Sequence, residues 1–304
     1  MSVPKFDGSV VGMAEVQTLG VVGTGALGAA LAAAALDHGI ATSVWNRTPG
    51  KARHLVDAGA VPRQTIADLV GSSAVVVIAV STYADVRSIL DDSATLGGDT
   101  VVNLSSGTPA EAAALAADVH RRGGRYLDGA AMSGTRLIGE PAATFFYSGD
   151  QGAFDDARTV LAAFGKSLFL GADPATASGY DTAVLGMILG FLTASYQATA
   201  LLRRQGFATE HFPSVIRDYW PFVLDQFDSH EAQIRTGSIT PDDGTVDVYI
   251  DAVQHLIDTG ASLGVDTTVA ESISSLLRRT SDNGHGAEGL PYLAETIDTI
   301  GVRP

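Results

Sequence analysis

The chain has 304 residues, 46% of them hydrophobic and 17% charged, a globular composition long enough for one large or two medium domains. Its formal net charge of −15 repels a phosphate backbone, which argues against nucleic-acid binding. It has no cysteine, which excludes disulfides, thiolate nucleophiles and thiolate metal sites and fits a reducing cytoplasm.

Residues 1–15 contain no apolar h-region and read as a loose leader. Short β-branched runs then alternate with Ala-rich segments, the pattern of a parallel sheet wrapped by helices. The predicted strands are Val16–Val22, Ala41–Trp45, Ala74–Val80, Thr100–Leu104, Thr144–Ser148 and Ser167–Leu170. The predicted helices between them are Ala26–His38, Lys51–Ala58, Ala84–Leu90, Pro109–Arg122 and Ala153–Phe164. Thr108 before Pro109 is a start signal, a capping hydroxyl followed by proline in the first turn. Beyond Pro174 the β pattern stops. One long helix is expected over 174–205, then helices at Ser214–Phe227, Val246–Ser262, Thr268–Asp282 and Leu290–Ile300. Thr182 to Leu202 carries no charge over 21 residues, enough to span a bilayer. Its polar Thr182, Thr193, Ser195, Tyr196, Gln197 and Thr199, and the lack of flanking belts, favour a helix buried all round at a domain or subunit interface over a membrane span.

The first strand runs into Gly23-Thr24-Gly25-Ala26-Leu27-Gly28, a Gly-x-Gly-x-x-Gly turn that opens a helix. The first glycine makes the tight turn, the second lets a pyrophosphate approach the backbone, and the third lets helix and strand pack closely. Unpaired N–H groups at the helix start then hold the phosphates. An NAD site usually has Asp or Glu at the end of the second strand. Here Asn46, Arg47, Thr48 and Lys51 follow, all donors suited to a 2′-phosphate, so the expected cofactor is NADPH. Val80, Ser81 and Thr82 end the strand after it, and Asn103 and Ser105 end the next, where a doubly wound sheet holds the nicotinamide. The expected fold class is therefore α/β, with a doubly wound Rossmann sheet over 1–173, an interdomain helix over 174–205 and an all-α domain over 206–304.

Gly25-Ala26-Leu27-Gly28, Val44-Trp45-Asn46-Arg47-Thr48 and Asn103-Leu104-Ser105-Ser106-Gly107-Thr108-Pro109 resemble the β-hydroxyacid dehydrogenase superfamily. Its hydroxyacid enzymes carry a proton-donating lysine on the interdomain helix. This chain has only Lys5, Lys51 and Lys166, none of them there. Ser178-Gly179-Tyr180-Asp181-Thr182-Ala183-Val184-Leu185-Gly186 stands in that stretch and is similar to the imine reductase and reductive aminase family, which has Asp or Tyr at the lysine's place. Tyr126-Leu127-Asp128-Gly129-Ala130, Phe146-Tyr147-Ser148-Gly149, Gly264-Val265-Asp266-Thr267-Thr268, Gly284-His285-Gly286 and Gly289-Leu290 extend the likeness along nearly the whole chain. Met132-Ser133-Gly134-Thr135 departs from it, since small apolar residues and proline are more usual there.

The resemblance implies hydride transfer from NADPH to a cyclic imine or iminium, with Asp181 as the polar partner. It also implies a homodimer whose helical halves embrace and share the active site. Near the start of an uncharged helix, burial would raise the Asp181 pKa and the helix dipole would lower it, leaving anchor and proton donor both open. A helix-end charge without chemistry is the bland reading of the same residue. Ser105, Met132, Ser133, Leu185, Trp220 and Phe222 are the expected substrate contacts, the last two from the Tyr219-Trp220-Pro221-Phe222 aromatic cluster. The seven histidines form no ligand pair, so no metal is expected. Two alternatives stay open: a hydroxyacid or semialdehyde reductase using another acid, and a non-catalytic NADP-binding protein.

Overall fold

The computed structural model describes residues 17–91, 96 and 99–298. The leader, the expected strand start at Val16 and the expected helix end at Ile300 lie outside the described residues.

The first part of the chain runs β1 (Thr18–Val22), α1 (Ala26–Asp37), β2 (Ala41–Trp45), α2 (Arg53–Asp57), β3 (Val61–Pro62), α3 (Ile66–Val70) and β4 (Val75–Ile78). It continues through α4 (Tyr83–Asp91), β5 (Thr100–Asn103), α5 (Pro109–Arg121), β6 (Arg125–Ala131), β7 (Thr144–Gly149), α6 (Gln151–Phe164) and β8 (Lys166–Phe169). Among the described residues these strands make one sheet in the order β3-β2-β1-β4-β5-β6-β7-β8. All neighbours are parallel except β6 and β7. Val75 and Val77 of β4 face a layer that includes Leu31 of α1 and Phe164 of α6. Val76 and Ile78 face a second layer with Leu69 of α3, Val86 of α4 and Leu115 of α5. Helices on both faces explain why β4 reads as an unbroken apolar run rather than an alternating one. Thr108 caps α5 as expected, accepting from the Glu111 N–H while the Glu111 carboxylate accepts from the Thr108 N–H.

Three elements were not anticipated. β3 has only two residues, and α3 is a single turn and a half, capped by Thr65 accepting from Asp68 N–H. β6 is longer, and Asp128-Gly129 in its middle is a turn-forming pair by sequence, which masked a buried strand. The helix expected at Lys51–Ala58 is a 3₁₀ turn at Pro49–Ala52 followed by α2.

The α7 helix (Thr176–Arg204) begins just after the sheet ends, and the compact units of the chain divide inside it, between Gly186 and Met187. The second unit continues with α8 (Phe212–Thr236), α9 (Val246–Leu263), α10 (Thr268–Thr280) and α11 (Leu293–Asp298). α8 outruns the expected Ser214–Phe227 by continuing past Phe227 to a stop at Gly237, whose φ of +68° is left-handed. α10 ends in a π-helical turn at Ser281–His285, and a 3₁₀ turn at Leu290–Tyr292 leads into α11. The core of this unit is small: Val246, Val253, Ala270 and Leu277, with Tyr249, Ile257 and Leu290 among those packed on it.

The expectation of an α7 buried all round is not met within the chain. Leu185, Met187, Leu189 and Tyr196 are each more than half exposed, as are Val215, Tyr219 and Phe227 of α8. Among the described residues α7 alone is long and apolar enough to cross a membrane, with a mean hydropathy of 1.5.

Candidate active site

The turn after β1 is shaped around something the chain itself does not fill. Gly23 has a φ of +92°, and a Cβ there would sit 2.4 Å from the Ala79 carbonyl oxygen. A Cβ on Gly28 would lie 1.9 Å from the Gly23 carbonyl oxygen, so helix α1 packs hard onto the turn. Gly25 is the opposite case: a Cβ would meet no atom within 4 Å. Thr24 Oγ1 is buried without a partner, beside the free N–H groups of the 12-residue α1. Open space, an orphaned hydroxyl and a helix N-terminus together fit a dinucleotide pyrophosphate.

A cleft of about 500 Å³ extends from this turn. Gly23 through Leu27 form one wall, Asn46, Arg47, Thr48 and Lys51 a second, and Val80 and Ser81 a third. The donors expected to hold a 2′-phosphate are thus brought together. The cleft also contains a carboxylate that the sequence reading missed. Asp85 lies 3.8 Å from the Arg47 guanidinium, which is itself 73% exposed. Thr82 does not line the cleft: its hydroxyl donates to Asp85 Oδ2 (2.8 Å) and accepts from the Asp85 N–H (3.2 Å), capping α4.

A second cleft, of about 230 Å³, adjoins the first and shares Leu27 with it. It is lined by Tyr83, Ser105, Ser133, Ser178 and Asp181, with Gly129 and Ala130 of β6. Asp181 sits in the second turn of α7, beyond the first turn in which a helix dipole acts strongly. It is half-buried, has no hydrogen-bond or ion-pair partner among the described residues, and burial raises its pKa. Asp181 is thus a partly desolvated carboxylate with no partner among the described residues, facing a cleft. Ser105 Oγ accepts from Val80 N–H at 3.1 Å, which leaves its hydrogen free to donate. Ser133 Oγ accepts from Thr144 N–H at 3.0 Å and bridges β7 to the cleft rim.

Asn103 stands beneath the cleft rather than in its wall. Its side chain is fully buried, accepting from Ser105 N–H (3.1 Å) and donating to Asp128 Oδ1 (3.4 Å). That carboxylate is the other residue the sequence reading missed. Asp128 is 0% exposed, and its Oδ1 also accepts from Tyr83 (2.6 Å) and Tyr126 (2.7 Å). An aspartate within an otherwise apolar strand was the available signal, since such a residue is rarely buried without a partner. Met132 bonds through its backbone to Thr144 O and does not line the cleft, and Leu185 is exposed on α7. Trp220 and Phe222 belong to the second unit, where Trp220 meets Phe191 edge-on at 4.9 Å and Phe222 lies 5.2 Å from Tyr219. In the same unit His285 stacks on Tyr292 at 4.0 Å. Among the described residues no group of three His, Cys, Asp or Glu side chains could hold a metal.

A strand, Gly-rich turn and helix with a basic far wall, opening into a cleft that ends at a desolvated carboxylate, defines a dinucleotide-dependent oxidoreductase. Residues 18–172 match the family described as the NAD binding domain of 6-phosphogluconate dehydrogenase, and residues 173–299 the NADPH-dependent reductive aminase-like C-terminal domain. The chain is 33% identical over 283 residues to the NADPH-dependent reductive aminase of Aspergillus oryzae, covering 91% of this chain and 96% of that one. The imine reductase from Aspergillus terreus in complex with NADPH4 and dibenz[c,e]azepine superposes with a TM-score of 0.88 at 29% identity, over 92% of this chain and 99% of that chain. The reductive aminase from Aspergillus terreus in complex with NADPH4, cyclohexanone and allyl amine gives a TM-score of 0.85 at 29% identity, over 93% and 100%. The chain belongs to the imine reductase and reductive aminase family.

Proposed function

We propose that the protein reduces the C=N bond of a cyclic imine or iminium to an amine with NADPH as hydride source. One observation carries the reading: the desolvated, unpartnered Asp181 carboxylate in the cleft that adjoins the dinucleotide cleft. Reducing a ketone builds negative charge on oxygen and calls for a proton donor such as lysine. Reducing an iminium instead removes positive charge from nitrogen. A carboxylate that has lost part of its hydration gains by pairing with that cation, and so holds the substrate where hydride arrives. No lysine follows Lys166, so the ketone-reducing arrangement is absent from this chain.

NADPH, when bound, supplies the hydride. Gly23, Gly25 and Thr24 would hold its pyrophosphate and Arg47, Asn46, Thr48 and Lys51 its 2′-phosphate. Val80, Ser81 and the Ser105 hydroxyl would bound its nicotinamide end. NADPH oxidation measured with a cyclic imine, with a 3-oxo acid and without substrate tests the reading. Consumption is expected with the imine alone; a faster rate with the oxo acid would overturn it.

We further propose a homodimer in which the site is completed by both chains. The exposed apolar residues of α7 and α8 support it, since soluble monomers rarely leave such surface open. The same argument assigns the long α7 to a protein interface rather than a bilayer. Location in the cytoplasm is proposed on the cysteine-free composition.

A further inference from the structure

The hydroxyls that line the cleft with Asp181 differ in what their hydrogens meet. Tyr83 gives its hydrogen to Asp128 at 2.6 Å, and Ser178 gives its own to the Ala175 carbonyl at 3.2 Å. Ser106 and Thr135 are exposed at the rim. Ser105 and Ser133 form a third group. Each oxygen accepts from a backbone N–H, that of Val80 at 3.1 Å and that of Thr144 at 3.0 Å, and neither hydrogen has an acceptor among the described residues. Ser105 lies toward the cofactor, since Val80 stands in the wall of the dinucleotide cleft. Ser133 lies on the other side, against the start of β7. Its oxygen has a fixed place. Met132 N–H donates to the Thr144 carbonyl at 2.9 Å, and the Ser133 side chain takes the Thr144 N–H, closing a last rung on the β6–β7 pair. This half-buried hydroxyl therefore offers its hydrogen to whatever enters the cleft, and an apolar group placed against it would leave that hydrogen unpaired. Charge narrows the choice of acceptor. Among the described residues that line the cleft none is Lys, Arg or His, and Asp181 is the carboxylate that faces it. A cationic nitrogen gains beside Asp181, whereas a carboxylate on the same substrate would bring in a like charge with no cation to receive it. A neutral oxygen meets neither penalty. Ser133 also belongs to Met132-Ser133-Gly134-Thr135, the segment that departs from the family's more usual small apolar residues and proline.

We propose that Ser133 selects the substrate class: a cyclic imine or iminium with a neutral oxygen acceptor in a substituent, an ether, hydroxyl or carbonyl oxygen to which the Ser133 hydroxyl donates. The proposal rests on the imine-reducing reading above and narrows it. Asp181 meets the nitrogen and Ser133 the oxygen, so the two ends of the molecule are recognised by different chemistry. The oxygen takes no part in the reaction, and its hydrogen bond is the same before and during hydride transfer. Binding of that kind lowers KM and leaves kcat where it was. A substrate with an alkyl group in place of the oxygen loses the contact, and one with a carboxylate meets the charge of Asp181.

The test uses 2-substituted 1-pyrrolines. Ethers with the oxygen two or three carbons from the ring, too far to change the reactivity of the C=N bond, are each set against the alkyl isostere and a carboxylate of matching length. In the unmodified protein at least one ether should exceed its isostere in kcat/KM by about 3- to 10-fold, carried by KM, as one neutral hydrogen bond allows. The carboxylate should fall about 10-fold or more below the isostere. Ser133→Ala should bring the ether-to-isostere ratio to one or below, whatever it does to the isostere itself, because the oxygen is then desolvated without a donor. Three results overturn the proposal and leave imine reduction intact: every ether within about twofold of its isostere, a ratio that survives Ser133→Ala, or a carboxylate preferred to the isostere. Should Ser133→Ala fail to fold, Ser133→Cys keeps the shape with a weak donor and is read by the same ratio. An unmodified protein that reduces none of the series overturns the functional reading, and this proposal with it.

Discussion

Replacing Arg47 with alanine should weaken NADPH binding selectively, and the amount follows from the contacts around the guanidinium. A hydrogen bond to a charged group contributes about 1.5–3 kcal/mol. Arg47 is 73% exposed, which places its contact with a 2′-phosphate at the lower end, about 1.5–2 kcal/mol or roughly 10- to 30-fold in Kd. In the structure the same guanidinium is paired with Asp85 at 3.8 Å, an exposed ion pair of the kind that contributes about 0–1 kcal/mol. A 2′-phosphate has to share Arg47 with that carboxylate and approach a like charge as it does so. Asp85→Asn should therefore tighten NADPH by up to about fivefold and leave NADH unchanged, since NADH brings no phosphate to the site. Asparagine can still accept from Thr82, so α4 keeps its cap. Titrating NADPH and NADH into the unmodified protein and Arg47→Ala by tryptophan fluorescence, with Trp45 in the cleft wall, gives the four constants of a variant-by-cofactor cycle. Equal loss of both cofactors in Arg47→Ala would refute the reasoning, as would equal affinity of the unmodified protein for the two.

The other expectations use different readouts. Asp181→Asn should raise KM for an N-alkylated iminium by roughly 10-fold or more while sparing NADPH affinity, because it removes the anchoring charge and nothing from the cofactor cleft; an unchanged KM would send the search to Ser105 and Ser133. The raised pKa of Asp128 makes a signed stability prediction. A carboxyl whose folded pKa lies above its unfolded value stabilises fully below the unfolded pKa and loses that stabilisation as pH rises through the folded one. The unmodified protein should therefore lose stability relative to Asp128→Asn from the ordinary carboxylate range upward, measured by denaturant melts across pH; a constant difference would mean that the residue does not titrate on folding. Light scattering should give twice the chain mass for the unmodified protein, and Met187→Glu, at a position 58% exposed in one chain, should shift it to an inactive monomer. A monodisperse, active monomer of the unmodified protein contradicts the dimer.

Much of the first unit was legible because local and global signals agreed. The alternation of apolar runs and Ala-rich segments gave β1, β2, β4, β5, β7 and β8, and the glycine turn and basic second-strand end lie where the cofactor cleft is lined. What the sequence hid were contacts made across the fold. Asp85 reaches Arg47 only because α4 follows β4 across the mouth of the cleft, and nothing in the spacing of residues 47 and 85 announces it. Thr82 and Asn103 have the residue types of a cofactor contact, yet their side chains cap a helix and brace a buried carboxylate. In the second unit the far end of α8 was missed beyond Phe227, where the polar Asp228-Ser229-His230-Glu231 run carries no apolar repeat although the helix continues to Thr236.

The missed strand and the missed carboxylate have a single cause. No strand was expected over β6, where an aspartate beside a glycine favours a turn by local preference. In the sheet it is enclosed instead, with Tyr83, Tyr126 and Asn103 gathered around one of its oxygens. Replacing that cluster by apolar side chains of similar volume would remove an unpartnered buried oxygen, and a fold selected for stability alone has no reason to keep it. The cluster lies next to the site: Gly129 and Ala130, the next two residues of the strand, line the cleft that holds Asp181. Local preference fails to read this strand because the contacts that enclose its aspartate come from α4 and β5 as well as its own strand, and no local pattern announces them.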